Sequence, residues 1–285
     1  MTIALTEQKV TTSLGKQTIY RGGPSGGGGG GGGGEGAPLV YLHSAAGEIP
    51  GAIVVESLAD TFDVIAPLFP GFGDSEGIEM IDDIEDAVFH LLDVWDALNL
   101  DGPTVVGTSL GGWLAAELAV RYPSTVGRLV LVNPAGLYIE GHPIKEIFGR
   151  QPAELAEDLF ADQQHPMAQV MHEMQAVLDA RGDVPFEVLR PTLQSLAATA
   201  KVAWNPYLHD PKLRRRLYRV SAPTLIVHGR EDRLIPKEHA EAYHEGIVGS
   251  RLVHVDGAGH LLPLEKPDEL VALILESGSG PARPA

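Results

Sequence analysis

No cysteine occurs among the 285 residues. That excludes disulfide staples, thiolate-bound zinc, iron–sulfur clusters and a thiol nucleophile. Positive charge is also scarce. Lysine and arginine together number 21 against 38 aspartates and glutamates, a formal net charge of −17, which is the wrong sign for following a phosphate backbone, so no nucleic-acid partner is expected. No run of about 18 apolar residues is present, so no membrane span is expected. The stretch from Met1 to Lys9 lacks the basic-then-apolar order of an export signal. Aromatics make up only 6% of the chain, but 44% of it is hydrophobic, enough for a sizeable core. The expectation is a cytoplasmic globular protein.

Glycine is abundant, at 34 residues, because nine in a row occupy positions 26–34. The run suits no nucleotide loop. A phosphate-binding loop needs Lys followed by Ser or Thr after its glycines, and a dinucleotide fingerprint needs a helix to open there. Here Glu35-Gly36-Ala37-Pro38 follows and leads into an apolar strand-like run. Residues 22–36 therefore read as a flexible, solvent-exposed insertion.

Around the insertion, strand and helix patterns alternate. Residues 8–13 and 16–21 alternate in polarity about Gly15 and predict a hairpin. Residues 38–42, 62–68, 104–106, 128–132, 224–227 and 251–255 read as strands. Helices are expected over 49–60, 79–99, 111–121, from Pro236, and over 265–276. The segment 79–99 is the clearest, with Ile81, Ile84, Val88, Leu91, Trp95 and Leu98 on one face. Between the strands at 128–132 and 224–227, residues 139–218 form a mostly helical block with no strong strand. Such alternation predicts an α/β fold with a mostly parallel sheet covered on both faces. The core would comprise residues 1–138 and 219–276, residues 139–218 an inserted cap, and residues 277–285 a disordered tail.

Gly107-Thr108-Ser109-Leu110-Gly111 lies between a strand and a helix. A G-x-S-x-G in that setting is a nucleophile elbow, a tight turn that holds a serine hydroxyl clear of the sheet. A serine hydroxyl needs a base, and the base needs an orienting acid. His260 sits in the loop after the last strand, and Asp232 in the turn after the penultimate one. The chain order Ser109, Asp232, His260 is that of this kind of triad. Glu231 and Asp256 are the rival acids. Oxyanion donors are expected from the N–H of Leu110 and from the small-residue loop Ser44-Ala45-Ala46-Gly47, with Ala45 the first candidate. His43 reads as a structural residue that holds this loop.

On these residues the chain resembles the α/β-hydrolase superfamily over about 38–275. The elbow, the His43 loop, Pro70-Gly71-Phe72-Gly73-Asp74-Ser75, the 229–236 turn and Gly259-His260 stand in the family order, with His43-Ser44 where the family commonly has His-Gly. The resemblance implies an eight-stranded sheet whose second strand is antiparallel. The glycine run would then lie at the end of the sheet opposite the active site.

Members that open epoxides or cleave carbon–halogen bonds use an elbow aspartate, so Ser109 points instead to esters, lactones or the carbon–carbon bond of ring-cleavage dienones. In that last branch a tryptophan usually follows the histidine, whereas Leu261-Leu262-Pro263 stands here. The favoured expectation is an esterase acting on small molecules. C–C bond or lactone hydrolysis is the alternative, and a hydrolase-fold receptor the alternative from another class. Ser44, Thr108, Trp204 and Leu261 are the expected pocket residues. Glu48 and Glu76 read as solvated acids, and Met167, Met171 and Met174 as a packing stripe. No cofactor is implied. Among metal patterns, His165 and His172 are seven residues apart without a suitably spaced carboxylate, so none is expected.

Overall fold

Five- and six-residue runs that are apolar on both faces are the material of buried parallel strands, and the central strands are made of them. The computed structural model describes residues 4–24, 36–180, 182 and 184–278. The strands are β1 (Thr6–Thr12), β2 (Gly15–Gly22), β3 (Pro38–Leu42), β4 (Asp63–Pro67), β5 (Thr104–Thr108), β6 (Arg128–Val132), β7 (Thr224–Gly229) and β8 (Arg251–Val255). They form one eight-stranded sheet in the order β1-β2-β4-β3-β5-β6-β7-β8. β2 is antiparallel to both neighbours, and from β4 to β8 every pairing is parallel. All residues of β4, β5 and β7 are buried, whereas edge strand β1 is largely exposed. The chain turns at the β3–β4 and β3–β5 junction, the switch point of such a sheet, where ligands collect at the carboxyl ends of the strands.

The helices are α1 (Ile53–Leu58), α2 (Ile84–Leu98), α3 (Leu110–Arg121), α4 (Pro152–Leu159), α5 (Pro166–Asp179), α6 (Phe186–Ala203), α7 (Lys237–Gly246), α8 (Leu262–Glu265) and α9 (Pro267–Ser277). α2 packs on α3, and α1, α8 and α9 pack together. Two expected helices are shorter than their sequence patterns. Residues 49–60 yield only α1, because Pro50 cannot donate to a helical ladder and Gly51 takes φ +112°. The 79–99 stripe is broken after a single 3₁₀ turn at Ile78–Met80. Asp83 then starts α2 by accepting from the N–H groups of Glu85 and Asp86. Ile84, Val88, Leu91 and Trp95 are buried as the stripe requires.

The expected 139–218 block contains α4, α5 and α6, but Ile139 to Gln151 carries no helix. Met167 is half exposed, while Met171 packs on a small cluster of Ala156, Phe160, Ala168 and Leu261. At the C-terminus α9 continues through Ser277, and the Gly278 carbonyl accepts from Arg128, so the expected tail at 277–285 begins too early. Positions 279–285 and the glycine run at 26–34 lie outside the described residues. The residues flanking that run, Gly22 and Pro38, pair with Val64 and Asp63 at the start of β4, away from the carboxyl ends of the strands. Among the described residues no helix is long and apolar enough to cross a membrane.

His90 of α2 is buried beside a small cavity lined by Leu42, His43, Phe69, Leu110 and Leu114, and its Nδ1 has no partner among the described residues. Burial lowers its pKa from 6.5 to about 4, against a weaker upward pull from Asp93. The unfolded chain therefore binds this proton near pH 6.5 and the folded chain only near pH 4. Stability that is complete above pH 6.5 drains away as pH falls toward 4, by up to about 3 kcal/mol. Urea midpoints at pH 7.5, 6 and 5 should show the decline, and His90→Leu should flatten it by about one proton. An unchanged pH slope in the variant would refute the assignment.

Candidate active site

Ser109 is the residue between β5 and α3, with φ +52° and ψ −110°, a conformation a side-chain-bearing residue takes only when its surroundings impose it. Its N–H donates to Val132 O of β6. The close packing beneath the turn requires glycine. A Cβ on Gly111 would lie 2.1 Å from Leu42 O and 2.7 Å from His43 O, all fixed backbone. Gly111→Ala should therefore cost about 3 kcal/mol by forcing β3 off α3. Urea unfolding checks this, and a loss below about 1 kcal/mol would contradict it.

His260 stands above the elbow in the loop after β8. Its Nε2 is 2.9 Å from Ser109 Oγ, and its Nδ1 is 2.8 Å from Asp232 Oδ2. A carboxylate can only accept, so Nδ1–H donates to Asp232 and Nε2 accepts from the Ser109 hydroxyl. The other oxygen of Asp232 accepts from the N–H groups of Leu234 and Ile235, at 2.9 and 2.8 Å. All three residues are buried.

The rival acids are used elsewhere. Glu231 accepts from Ala258 N–H and braces the histidine loop, and Asp256 pairs with Arg230 at the surface.

Sequence reasoning missed Asn133. Its buried amide donates to Gly259 O and His260 O, while its carbonyl accepts from Gly229 N–H. One side chain thus joins the loops that carry Asp232 and His260. The available signal was Asn133-Pro134 directly after a strand, since asparagine tolerates the φ of +43° found there. Residues 157–162 contribute as well. Arg233 donates to the carbonyls of Glu157 and Phe160, Leu261 N–H donates to Leu159 O, and Glu265 accepts from both Gly259 N–H and Asp162 N–H.

On the oxyanion side, His43 holds its loop. Phe69 N–H donates to Nε2, so Nδ1–H donates to Ser44 O, and burial lowers the pKa of the ring and keeps it neutral. The N–H groups of Ser44, Ala46 and Gly47 are all engaged, by Glu48, Ser44 Oγ and Ser44 O. The Ala45 N–H has no partner among the described residues. Leu110 opens α3, so its N–H precedes the first intrahelical bond. Two N–H donors without a partner among the described residues therefore flank the elbow, on adjacent strand ends where Leu42 pairs with Gly107.

The structure gives each of the four expected pocket residues a definite set of contacts. Thr108 is fully buried and bonded to Tyr41 OH. Ser44 is buried, with its hydroxyl committed to Glu48. Leu261 packs beneath α4 in the Phe160 cluster. Trp204 is 63% exposed and rests on Phe148. Glu48 is no solvated acid, whereas Glu76 is exposed and accepts from Lys16 N–H. Among the described residues no group of three or more histidines or acids is placed to hold a metal ion.

A family model described as alpha/beta hydrolase fold matches residues 37–267. The chain belongs to that family. Its α/β-hydrolase core is similar to 2-hydroxymuconate semialdehyde hydrolase of Pseudomonas sp. strain CF600, at 30% identity over 84% of this chain and 86% of the relative. It is likewise 30% identical to 2-hydroxy-6-oxo-2,4-heptadienoate hydrolase of Pseudomonas putida, over 84% of this chain and 88% of the relative. Among solved structures, 2-hydroxy-6-oxo-6-phenylhexa-2,4-dienoate hydrolase from Rhodococcus sp. strain RHA1 superposes with a TM-score of 0.75 at 23% identity, covering 98% of this chain and all of that one.

Proposed function

We propose that this α/β hydrolase cleaves the carbon–carbon bond of a ring-cleavage dienone, a 2-hydroxy-6-oxo-dienoate, by way of an acyl-enzyme. The observation that carries the proposal is the hydrogen-bonded line from Asp232 through His260 to Ser109 beside two N–H groups unpartnered among the described residues, in a chain 30% identical to hydrolases named for 2-hydroxymuconate semialdehyde and for 2-hydroxy-6-oxo-2,4-heptadienoate. In the substrate's keto form a CH₂ group joins the ketone carbonyl to a conjugated 2-oxo-acid. Ser109 Oγ attacks the ketone carbon as His260 Nε2 takes its proton, and Asp232 steadies the imidazolium. The N–H groups of Leu110 and Ala45 hold the oxyanion. The intermediate collapses by breaking the bond to the CH₂ carbon, whose electron pair spreads into the conjugated oxo-acid and takes a proton back from His260. Water, activated by the same histidine, then releases the acyl group as a carboxylic acid. In sum, one water is added across one carbon–carbon bond. Residues 139–218 serve as the cap over this reaction.

A second reading, hydrolysis of carboxylic esters, is favoured by Leu261 standing where the C–C hydrolase branch carries tryptophan. The same triad and donors would serve it, with an alkoxide leaving in place of the carbanion. Initial rates on 2-hydroxy-6-oxo-6-phenylhexa-2,4-dienoate and on p-nitrophenyl esters of graded acyl length decide between them. A kcat/KM at least about 100-fold higher on the dienoate, equivalent to ~2.7 kcal/mol of differential transition-state binding, supports the proposal. The reverse ratio transfers the assignment to esters.

A further inference from the structure

A half-buried carboxylate lies against the oxyanion loop, where the reaction above assigns it no task. Glu48 accepts from Ser44 N–H with both oxygens, each at 3.0 Å, and from Ser44 Oγ–H at 2.6 Å. It also accepts from Tyr41 OH at 3.1 Å, and the Tyr41 oxygen is 3.1 Å from Thr108 Oγ1. Tyr41 has one proton and gives it to the carboxylate, so Thr108 donates to Tyr41. Ser44 Oγ, having given its proton to Glu48, accepts from Ala46 N–H at 3.1 Å. The result is a continuous chain of hydrogen bonds from the residue before the nucleophile, Thr108, to the two residues that bracket Ala45. Tyr41 is fully buried, as is Thr108, so the chain runs through the core rather than through solvent.

This arrangement has two effects on Ala45. It draws the Ser44 and Ala46 N–H groups away from the site, which leaves Ala45 alone in its loop to face an oxyanion. It also ties the loop's position to the strand that carries Ser109, so the spacing between the Ala45 and Leu110 donors is set by side chains and not by the loop itself. A loop of small residues with a glycine at φ +64° has little stiffness of its own. We infer that Glu48 is a positioning residue for the oxyanion hole, acting through Ser44 on Ala45 N–H, with Tyr41 and Thr108 anchoring it to the nucleophile strand.

The inference rests on the proposed use of Ala45 and Leu110. Glu48→Gln keeps the side-chain shape but exchanges one acceptor oxygen for an NH₂ that can only donate, so the bidentate grip on Ser44 is lost. kcat should fall about 10- to 100-fold with KM within about twofold, because the contact at stake is made only in the transition state. Affinity for phenylboronic acid, which forms a tetrahedral anion on a nucleophilic serine, should weaken by the same factor. Thr108→Val keeps the shape and the carboxylate while cutting the far end of the chain, and it should show a smaller loss confined to kcat. Combined with Glu48→Gln it should add little. Circular dichroism melting separates these effects from unfolding. Wild-type turnover and boronate affinity that persist unchanged in Glu48→Gln would overturn the role of Glu48 alone. Losses that track the melting temperature, with kcat and KM moving together, would reduce Glu48 to a structural brace. Wild-type protein that neither turns over substrate nor binds the boronate would overturn the function proposal together with this one.

Discussion

Ser109→Ala is expected to lower turnover by about 10⁴- to 10⁶-fold on whichever substrate the wild-type enzyme accepts, with little change in substrate affinity. The only atom removed is Oγ, which lies 2.9 Å from His260 Nε2. The backbone that shapes the turn is untouched. The Ser109 N–H still donates to Val132 O, and the Leu110 and Ala45 N–H groups remain without a backbone partner among the described residues. The residual rate should therefore reflect oxyanion stabilisation and binding without a nucleophile. Alanine meets the same φ of +52° that serine does, so the melting temperature should hold and the loss is chemical. Single-turnover rates on the purified variant, with a fluorophosphonate label as an active-site count on the wild type, provide the check. Turnover above about 1% of wild type would remove Ser109 as nucleophile and direct attention to water activated by His260 alone.

Asp232→Asn should reduce kcat by about 10⁴-fold while leaving the fold intact. The environment of Asp232 offers asparagine no good orientation. If its NH₂ turns toward His260, the ring must present an unprotonated Nδ1 and carry its proton on Nε2, facing the Ser109 hydroxyl it should deprotonate. If its oxygen turns toward His260, the NH₂ confronts the N–H groups of Leu234 and Ile235, two donors now without an acceptor. Either choice leaves the base in the wrong tautomer or loosens the turn that positions the acid. Two readouts separate the cases. The wrong tautomer lowers kcat with an unchanged melting temperature, and a loosened turn lowers both. A kcat within tenfold of wild type, a difference of about 1.4 kcal/mol in barrier, would show that Asp232 does not orient the base. Glu231 would not replace it, because its carboxylate is engaged by Ala258 N–H.

The parts of this molecule that were legible in the sequence are those whose meaning is local. A G-x-S-x-G between apolar strand and helix patterns fixes the turn, so the position of Ser109 follows from its neighbours. His260 and Asp232 each sit in a loop just beyond a recognisable strand, and parallel strands bring such loops to one end of the sheet. Other side chains take their place from contacts that no local pattern shows. Thr108 is polar and adjacent to Ser109, and Tyr41, 67 residues away, bonds its hydroxyl. Glu48 looks like one acid among many in a chain of net charge −17, and although its partners Ser44 and Tyr41 are only four and seven residues away, no periodicity or motif marks the turn that folds it back onto them. Asn133 serves loops more than 90 residues further along the chain, a distance no periodicity spans. The helical block was visible as composition, but which of its faces would be covered was not, because its helices bury small residues such as Ala156, Ala168 and Ala198 instead of a broad apolar stripe.

The bonds from Arg233, Leu261 and Glu265 to Glu157, Leu159, Phe160 and Asp162 tie the end of α4 and the residues after it to the Asp232 turn and the His260 loop. Any movement that lifted α4 would pull on the Asp232 turn and the His260 loop together. For anyone exchanging the helical block with that of another hydrolase, the serviceable joint therefore lies beyond Asp162. Transplants that keep α4 and replace α5 and α6 should leave Ser109, His260 and Asp232 aligned. Transplants cut before Pro152 should disturb the hydrogen bonds among them.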